Sequence, residues 1–338
     1  MKKQILYIVN PHSGVGRKRV IEREIKERTD KSEIEFDIVH TTHRGHAVEI
    51  AQKNRDEADI IVAVGGDGTV NEVGRGVIGG KAALGIIPCG SGNGLARELE
   101  IPLRTSSAID VINEGERHLI DIIDIGGHIS LNVAGVGFDA YISHLFANKK
   151  VRGPLQYMNL IAKEFPKYKP LDYIINIDGE IFKRTAFLIS FANSSQWGNN
   201  IHIAPRASMD DGLMDVCIVS EFPNMAIPSL IISLLSQSID TNKYDEMIRA
   251  KELELMNETE LAGHVDGEPI SLPPHTKVRV RPNALSLVSP SDAFFESQRF
   301  SPAKIRSQIF TKGEELLTKV RDQAIEPINE IKQIFKDI

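Results

Sequence analysis

Three apolar runs in this chain each end in a bend crowded with small residues. ILYIV (5–9) precedes NPHSGVG (10–16), DIIVAV (59–64) precedes GGDGTVNEV (65–73), and LGIIP (84–88) precedes CGSGNGLA (89–96). The runs lack the polar–apolar alternation of a half-exposed strand. They are separated by stretches of helical period, GRKRVIEREIKER (16–28) with Ile21 and Ile25 on one face, and GHAVEIAQKN (45–54). Continuous apolar strands alternating with helices predict a parallel sheet covered on both faces, with IEFDIVH (34–40) as a further strand. In such sheets ligands bind beyond the carboxyl ends of the strands, so all three bends belong on one edge.

The texture changes after residue 118. IIDIGGHISLNV predicts a hairpin on a Gly-Gly turn, and DYIINIDGEIFKRTAFLISFAN (172–193) a second on Asp178-Gly179. Strands continue at 212–219, 264–270 and 276–282, with helical insertions near 137–166 and 223–248 and a charged, helical tail after 300. A length of 338 residues suits two domains. The expected division is an α/β domain over 1–125, a mostly antiparallel β-sandwich over 126–298, and a helical extension over 299–338.

Glycine admits close backbone approach, so Gly65, Gly66 and Gly68 suit a loop whose N–H groups wrap phosphate. Thr69 to Glu72 reads as a capping box opening the next helix, whose N-terminus favours anions. Asp67 in that loop would repel phosphate unless it held a metal or touched the reacting group; a plain turn with Asp67 capping is the simpler reading. Arg17, Lys18 and Arg19 oppose the dipole of their own helix start, which makes sense beside phosphate, although a solvated face accounts for each singly. The lysine-bearing phosphate loop is missing, and NPHSGVG is not the dinucleotide fingerprint after a first strand.

With VNPHSG, VGGDGTVNEV, IIPCGSGNGLA, IAPRASMDDGLMDV and HVDGEP in this order, the chain resembles the diacylglycerol kinase and sphingosine kinase catalytic family over roughly residues 3–290. The resemblance implies a nucleotide domain akin to that of NAD kinase, a sandwich domain, and transfer of phosphate from ATP to a lipid hydroxyl between them. It assigns ATP contacts to Asn10, Pro11, His12, Ser13, Gly14, Thr41, Gly65, Gly66, Asp67, Gly68, Thr69, Val70, Asn71 and Ser91. It implies a structural Mg²⁺ held by the Asp211 carboxylate and the carbonyls of Ser208 and Leu213, with Asp210 alongside. DGE occurs at 178–180 and 266–268; the resemblance matches the first to a turn and the second to the catalytic position. The expected general base is Asp266, with Glu268 and Asp67 as the other carboxylates in reach. Asp266→Asn is then expected to lose roughly 10²–10⁴-fold in rate while still binding ATP.

Net charge of −6 disfavours nucleic acid as a partner. Cys89 and Cys217 lie far apart, which argues for a reducing compartment. No apolar run approaches the ~20 residues of a membrane span, and the expectation is a cytoplasmic protein touching the inner membrane face. Residues 149–184 hold eight Lys/Arg against four acids, a surface suited to anionic lipid and equally to water. His40, His43 and His46 lack acidic or cysteine partners for a metal in the local pattern, and His46 suits a helix cap. Trp197 either lines an acceptor pocket or packs. The resemblance also allows a homodimer. The compact length favours diacylglycerol or a related lipid as acceptor. HVDGE and GSGNGLA lean toward sphingoid-base or ceramide relatives, and NAD kinase or a non-catalytic lipid sensor are the other classes.

Overall fold

The computed structural model describes residues 2–13, 18–29, 31–147, 154–291 and 294. Gly14, Arg17, Lys149, Lys150, Arg152 and the expected tail over 299–338 lie outside the described residues. The first lobe is built from β1 (Lys3–Val9), α1 (Lys18–Arg28), β2 (Ile34–His40), α2 (His46–Asn54), β3 (Ile60–Gly65), α3 (Asp67–Val77) and β4 (Ala83–Pro88). Its strands pair in parallel in the order β4-β3-β1-β2. Every residue of β3 and β4 is buried, which is why both read as unbroken apolar runs. A fully buried aliphatic side chain contributes about 1.5–3 kcal/mol, so Ile60–Val64 alone anchor the sheet firmly. Ile21 and Ile25 of α1 are buried against it, as their spacing requires.

The short α4 (Gly94–Glu98) and α5 (Thr105–Glu114) lead into β5 (Glu116–Ile125), β6 (His128–Ser130) and β7 (Val133–Gly137). β5 and β6 form the hairpin expected at Gly126-Gly127, where both glycines have positive φ. Helices α6 (Phe138–Ala147) and α7 (Pro154–Glu164) follow, then β8 (Leu171–Ile177) and β9 (Glu180–Ala192), the second expected hairpin. A two-stranded ribbon of β10 (Gln196–Gly198) and β11 (Ile201–His202) precedes β12 (Met214–Ser220). The remaining elements are α8 (Ile227–Leu235), β13 (Asp245–Ala250), β14 (Glu252–Met256), β15 (Leu261–Val265), β16 (Glu268–Leu272) and β17 (His275–Ser289).

The second helical insertion is shorter than its sequence suggests. Residues 245–250 are a strand, with Met247 opposite Cys217 and Arg249 opposite Asp215. Neighbouring β12 supplies the pairing edge that local composition does not reveal. The final strand is longer than expected. β17 pairs antiparallel with β14 and β5, then reaches β4 in parallel at Leu287–Leu84. Its register shifts between Arg281 and Leu285, around Asn283 at φ 50°. Before the shift Val278 and Val280 enter the sandwich core; after it Leu285, Leu287 and Val288 enter the core of the first lobe. One strand thus joins both lobes into a continuous sheet. An aromatic cluster, Phe138, Phe165, Tyr168, Phe187 and Phe222, packs under α6 and α7. No helix among the described residues is long and apolar enough to cross a membrane.

Burial pushes the Asp245 carboxyl up to about 7, with the charges of Asp240 and Glu246 adding to the rise. Neither of its buried oxygens has a hydrogen-bond partner among the described residues. The folded state therefore keeps a proton that the unfolded chain releases near pH ~4. Stability is full below that value, falls as pH rises towards about 7, and is level above it. Asp245→Asn should flatten the melting-temperature profile between about pH 4 and 7. It should also stabilise the protein at alkaline pH by on the order of 1–3 kcal/mol, allowing for partial exposure.

Candidate active site

The carboxyl ends of β1 to β4 bring the expected phosphate-binding residues together. The Asn10 amide donates to Thr69 Oγ1 at 3.0 Å, and its carbonyl-type Oδ1 accepts from His12 N–H at 2.9 Å. Ser13 N–H closes the same turn on the Asn10 carbonyl. Thr41 N–H bonds the Val9 carbonyl, which sets Thr41 beside that turn. The bends after β3 and β4 touch backbone to backbone. A Cβ on Gly90 would lie 2.7 Å from Gly66 Cα, so any side chain at 90 would separate the two loops. Gly65, Gly66, Gly68 and the exposed Ser91 thus stand on one rim. Two expected ATP contacts face elsewhere with their side chains: Val70 is buried in the core, and the Asn71 amide donates to the Ile129 carbonyl and to Asp266.

Asp67 opens α3. Its carboxylate accepts the N–H of Asn93 at 2.9 Å and of Gly94 at 2.7 Å, clamping the GSGNG loop to the GGDG loop. Burial pushes this carboxyl above its ordinary range, the two loop N–H groups oppose that, and the nearby charge of Asp266 adds to the rise. The expected capping box does not form. α3 begins at Asp67 with no side-chain cap, and Glu72 instead accepts N–H groups of Gly45 (2.9 Å) and Ala47 (3.2 Å) at the start of α2. The i to i+3 spacing was right for a box. The neighbouring helix start offers the same orphan N–H groups, and it wins.

The second acidic triplet crosses from the sandwich to this rim. Asp266, at φ 49°, accepts from Asn71 Nδ2 (2.7 Å), Ser130 Oγ (2.6 Å) and the N–H groups of Leu131 (3.0 Å), Asn132 (2.9 Å) and Val133 (3.2 Å). Those five donors meet a group with about four acceptor sites, and they make Asp266 a link between the lobes. Glu268 is placed differently. Its Oε2 pairs with Arg44 at 2.7 Å, and its Oε1 lies 3.2 Å from where a Cβ on Gly68 would stand. No described residue donates to Oε1, and the side chain is 43% exposed, so this oxygen is open to the cleft above the N-terminus of α3. Asp178, in the first DGE, sits at φ 54° in the β8–β9 turn.

Arg44, Asn93, Ser130 and Asn132 are site residues the sequence reading missed. The polar Ser130 and Asn132 flanking Leu131 where β6 ends and β7 begins were the available sign, since unpaired polar groups are not buried without a task. His43 and His46 stack at 4.7 Å, and His46 Nδ1 accepts the N–H of Thr42, which precedes the helix, so the expected cap is supplied by Glu72 and not by His46. Trp197 packs against the aromatic cluster.

A guanidinium sits over the turn expected to hold a structural Mg²⁺. Arg249 lies on the Asp211 carboxylate, whose other oxygen accepts Leu213 N–H at 3.0 Å, and reaches Asp215 at 3.6 Å. Ser208 Oγ donates to Asp210. No group of three or more His, Cys, Asp or Glu side chains among the described residues is arranged to hold a metal. Asp211, the carboxylate of the expected set with the carbonyls of Ser208 and Leu213, thus faces the Arg249 guanidinium.

Residues 4–125 match the family model of the diacylglycerol kinase catalytic domain, and residues 132–289 that of the YegS C-terminal NAD kinase beta sandwich-like domain. The diacylglycerol kinases of Staphylococcus aureus strains JH9 and NCTC 8325 are each 31% identical over 278 residues, 79% of this chain and 87% of theirs. The crystal structure of a diacylglycerol kinase from Bacillus anthracis str. Sterne superposes with a TM-score of 0.65 at 20% identity. It covers 86% of this chain and 98% of that one, a likeness of fold.

Two outcomes follow from this geometry. Asp266→Asn turns an N–H toward at least one of five donors and should lower the melting temperature by roughly 5–10 °C, where loss of a base alone would leave it unchanged. Without nucleotide, excess chelator should leave the wild-type melting temperature within about 1 °C, whereas Arg249→Gln should melt lower and recover in part on adding Mg²⁺.

Proposed function

Since the chain belongs to the diacylglycerol kinase catalytic family and is a lipid kinase, we propose that it transfers the γ-phosphate of ATP to the free hydroxyl of diacylglycerol, with Glu268 accepting the hydroxyl proton. The observation that carries this reading is the open Glu268 oxygen over Gly68, at the head of α3. N–H groups of residues 65–69 and the start of this 11-residue helix would hold phosphate oxygens, since both present donors and a positive dipole end. The NPHS turn and Ser91 border the same space. The acceptor hydroxyl would enter from the sandwich side, beside Glu268.

In the step itself the lipid oxygen forms a bond to the γ-phosphorus as the bond to the bridging oxygen breaks, and that electron pair leaves on ADP. The hydroxyl proton passes to Glu268 Oε1 and later to water. Arg44 holds the other oxygen of Glu268 and brings a positive charge to the phosphate rim. Asp67 and Asp266 touch neither atom; they fix the two loops and the acidic turn. Phosphoryl transfer needs alignment and charge neutralisation above all, and a divalent metal, which kinases generally use, supplies neutralisation on the phosphates when bound.

A lipid acceptor implies contact with a membrane surface. Met225, Ile232 and Leu235 are exposed on and beside α8, and Lys163 in the last turn of α7 and Lys167 and Lys169 after it are exposed, a pairing of apolar and basic groups that suits anionic lipid.

Labelled ATP offered with a panel of diacylglycerol, sphingosine, ceramide and NAD tests the acceptor. Label in diacylglycerol is the expected result; label in a sphingoid base or NAD reassigns the substrate, and lipid binding with no transfer makes the protein a sensor. Glu268→Gln should lower kcat by roughly 10²–10⁴-fold with ATP affinity retained. Near-normal turnover would remove Glu268 from the role.

A further inference from the structure

A carboxylate–imidazole pair lies behind the acidic turn, outside the phosphate rim. His264 Nε2 lies 2.9 Å from Asp139 Oδ2, and both side chains are nearly buried, 4% and 13% exposed. We propose that Asp139 and His264 form a positioning pair that locks the 266–268 turn so that the Glu268 carboxylate faces Gly68. The proposal rests on the reading of Glu268 as proton acceptor.

The chemistry of the imidazole sets the arrangement. A carboxylate at Nε2 keeps the proton on that nitrogen, which leaves the Nδ1 lone pair as an acceptor. Gly267 N–H, inside the acidic turn, donates to Nδ1 at 3.4 Å. The ring thus spans from the first turn of α6, where Asp139 sits, to the Asp266–Gly267 peptide at the tip of the turn. Asp139 is itself held: its Oδ1 accepts Ala140 N–H at 2.8 Å, and Ser190 Oγ approaches Oδ2 at 3.4 Å. A carboxylate at the start of α6 is also favoured by the helix dipole.

Two further features belong to the same device. Gly135 stands opposite His264 in the β7–β15 ladder. A Cβ there would lie 2.7 Å from Asp139 Oδ2 and 2.9 Å from His264 Nε2, so the pair exists because residue 135 has no side chain. His144, one helical turn further along α6, places Nε2 at 3.1 Å from the Gly263 carbonyl and 2.9 Å from the Ile270 carbonyl. One helix therefore grips the β15–β16 hairpin on both strands, with the acidic turn at its tip. Asp266 anchors that tip to the first lobe, but it fixes only its own residue. Gly267, exposed and at φ 82°, stands between that anchor and Glu268, which opens β16 opposite Val265, and its N–H is the group His264 holds.

Variants of the full chain at His264, alone and combined with Glu268→Gln, test this against ATP and diacylglycerol. His264→Ala should lower kcat about 10- to 100-fold, the scale of a misplaced catalytic group, with KM for ATP unchanged. His264→Gln, which returns an N–H near the Nε2 position, should recover to within about threefold of wild type. In a Glu268→Gln background His264→Ala should add no further loss, because it acts through Glu268. If His264→Ala does not fold, Asp139→Asn carries the test with the same split between kcat and KM. Glu268→Gln inactive beside His264→Ala at wild-type kcat overturns this proposal alone. A His264 loss that persists in full in the Glu268→Gln background does so as well. Glu268→Gln at wild-type activity overturns it together with the reading of Glu268.

Discussion

The Asp266 carboxylate is the point on which the two lobes agree. It gathers Asn71 from α3 of the first lobe and Ser130, Leu131, Asn132 and Val133 from the β6–β7 link of the second. A buried charge is tolerated only where donors replace its lost water, and here they do so fully. Because the donors come from both lobes, satisfying the charge fixes how the lobes sit. Glu268 is two residues away and inherits that placement, which is how a sandwich hairpin comes to lie over a loop of the α/β lobe.

Asp67 does on the nucleotide side what Asp266 does across the cleft. Each takes loop N–H groups that have no partner in a sheet or helix ladder, and each turns irregular backbone into a fixed surface. The charge of Asp266 raises the cost of ionising Asp67, and the cleft tolerates both because neither is left without donors. Arg249 carries a parallel solution elsewhere, a guanidinium in cis on the Asp211 turn. In each case charge on a loop is balanced by groups of the chain itself.

Much of the fold was legible because its signals are local. The unbroken apolar runs of β3 and β4 and the Gly-Gly and Asp-Gly turns each report on their own few residues, and the structure bears them out. The misreadings share a cause. Glu72 has the spacing of a capping box but serves the next helix, and residues 245–250 form a strand because β12 offers them an edge. Within DGE, residue type alone cannot tell a carboxylate crowded by donors from one open to the cleft. That difference between Asp266 and Glu268 lies in the partners, which come from residues 71 and 130–133, far away in the chain.

What the sequence by itself determined was the inventory: strands buried on both faces, bends small enough for backbone to meet phosphate, and acidic turns on two hairpins. Periodicity and side-chain size act over a few residues, and they suffice for that. Only the tertiary structure decided which carboxylate is crowded by donors and which keeps an open oxygen, and that Arg249 comes to lie on the Asp211 turn. Those outcomes depend on which donors and charges arrive from distant segments, a matter of where the chain returns in space.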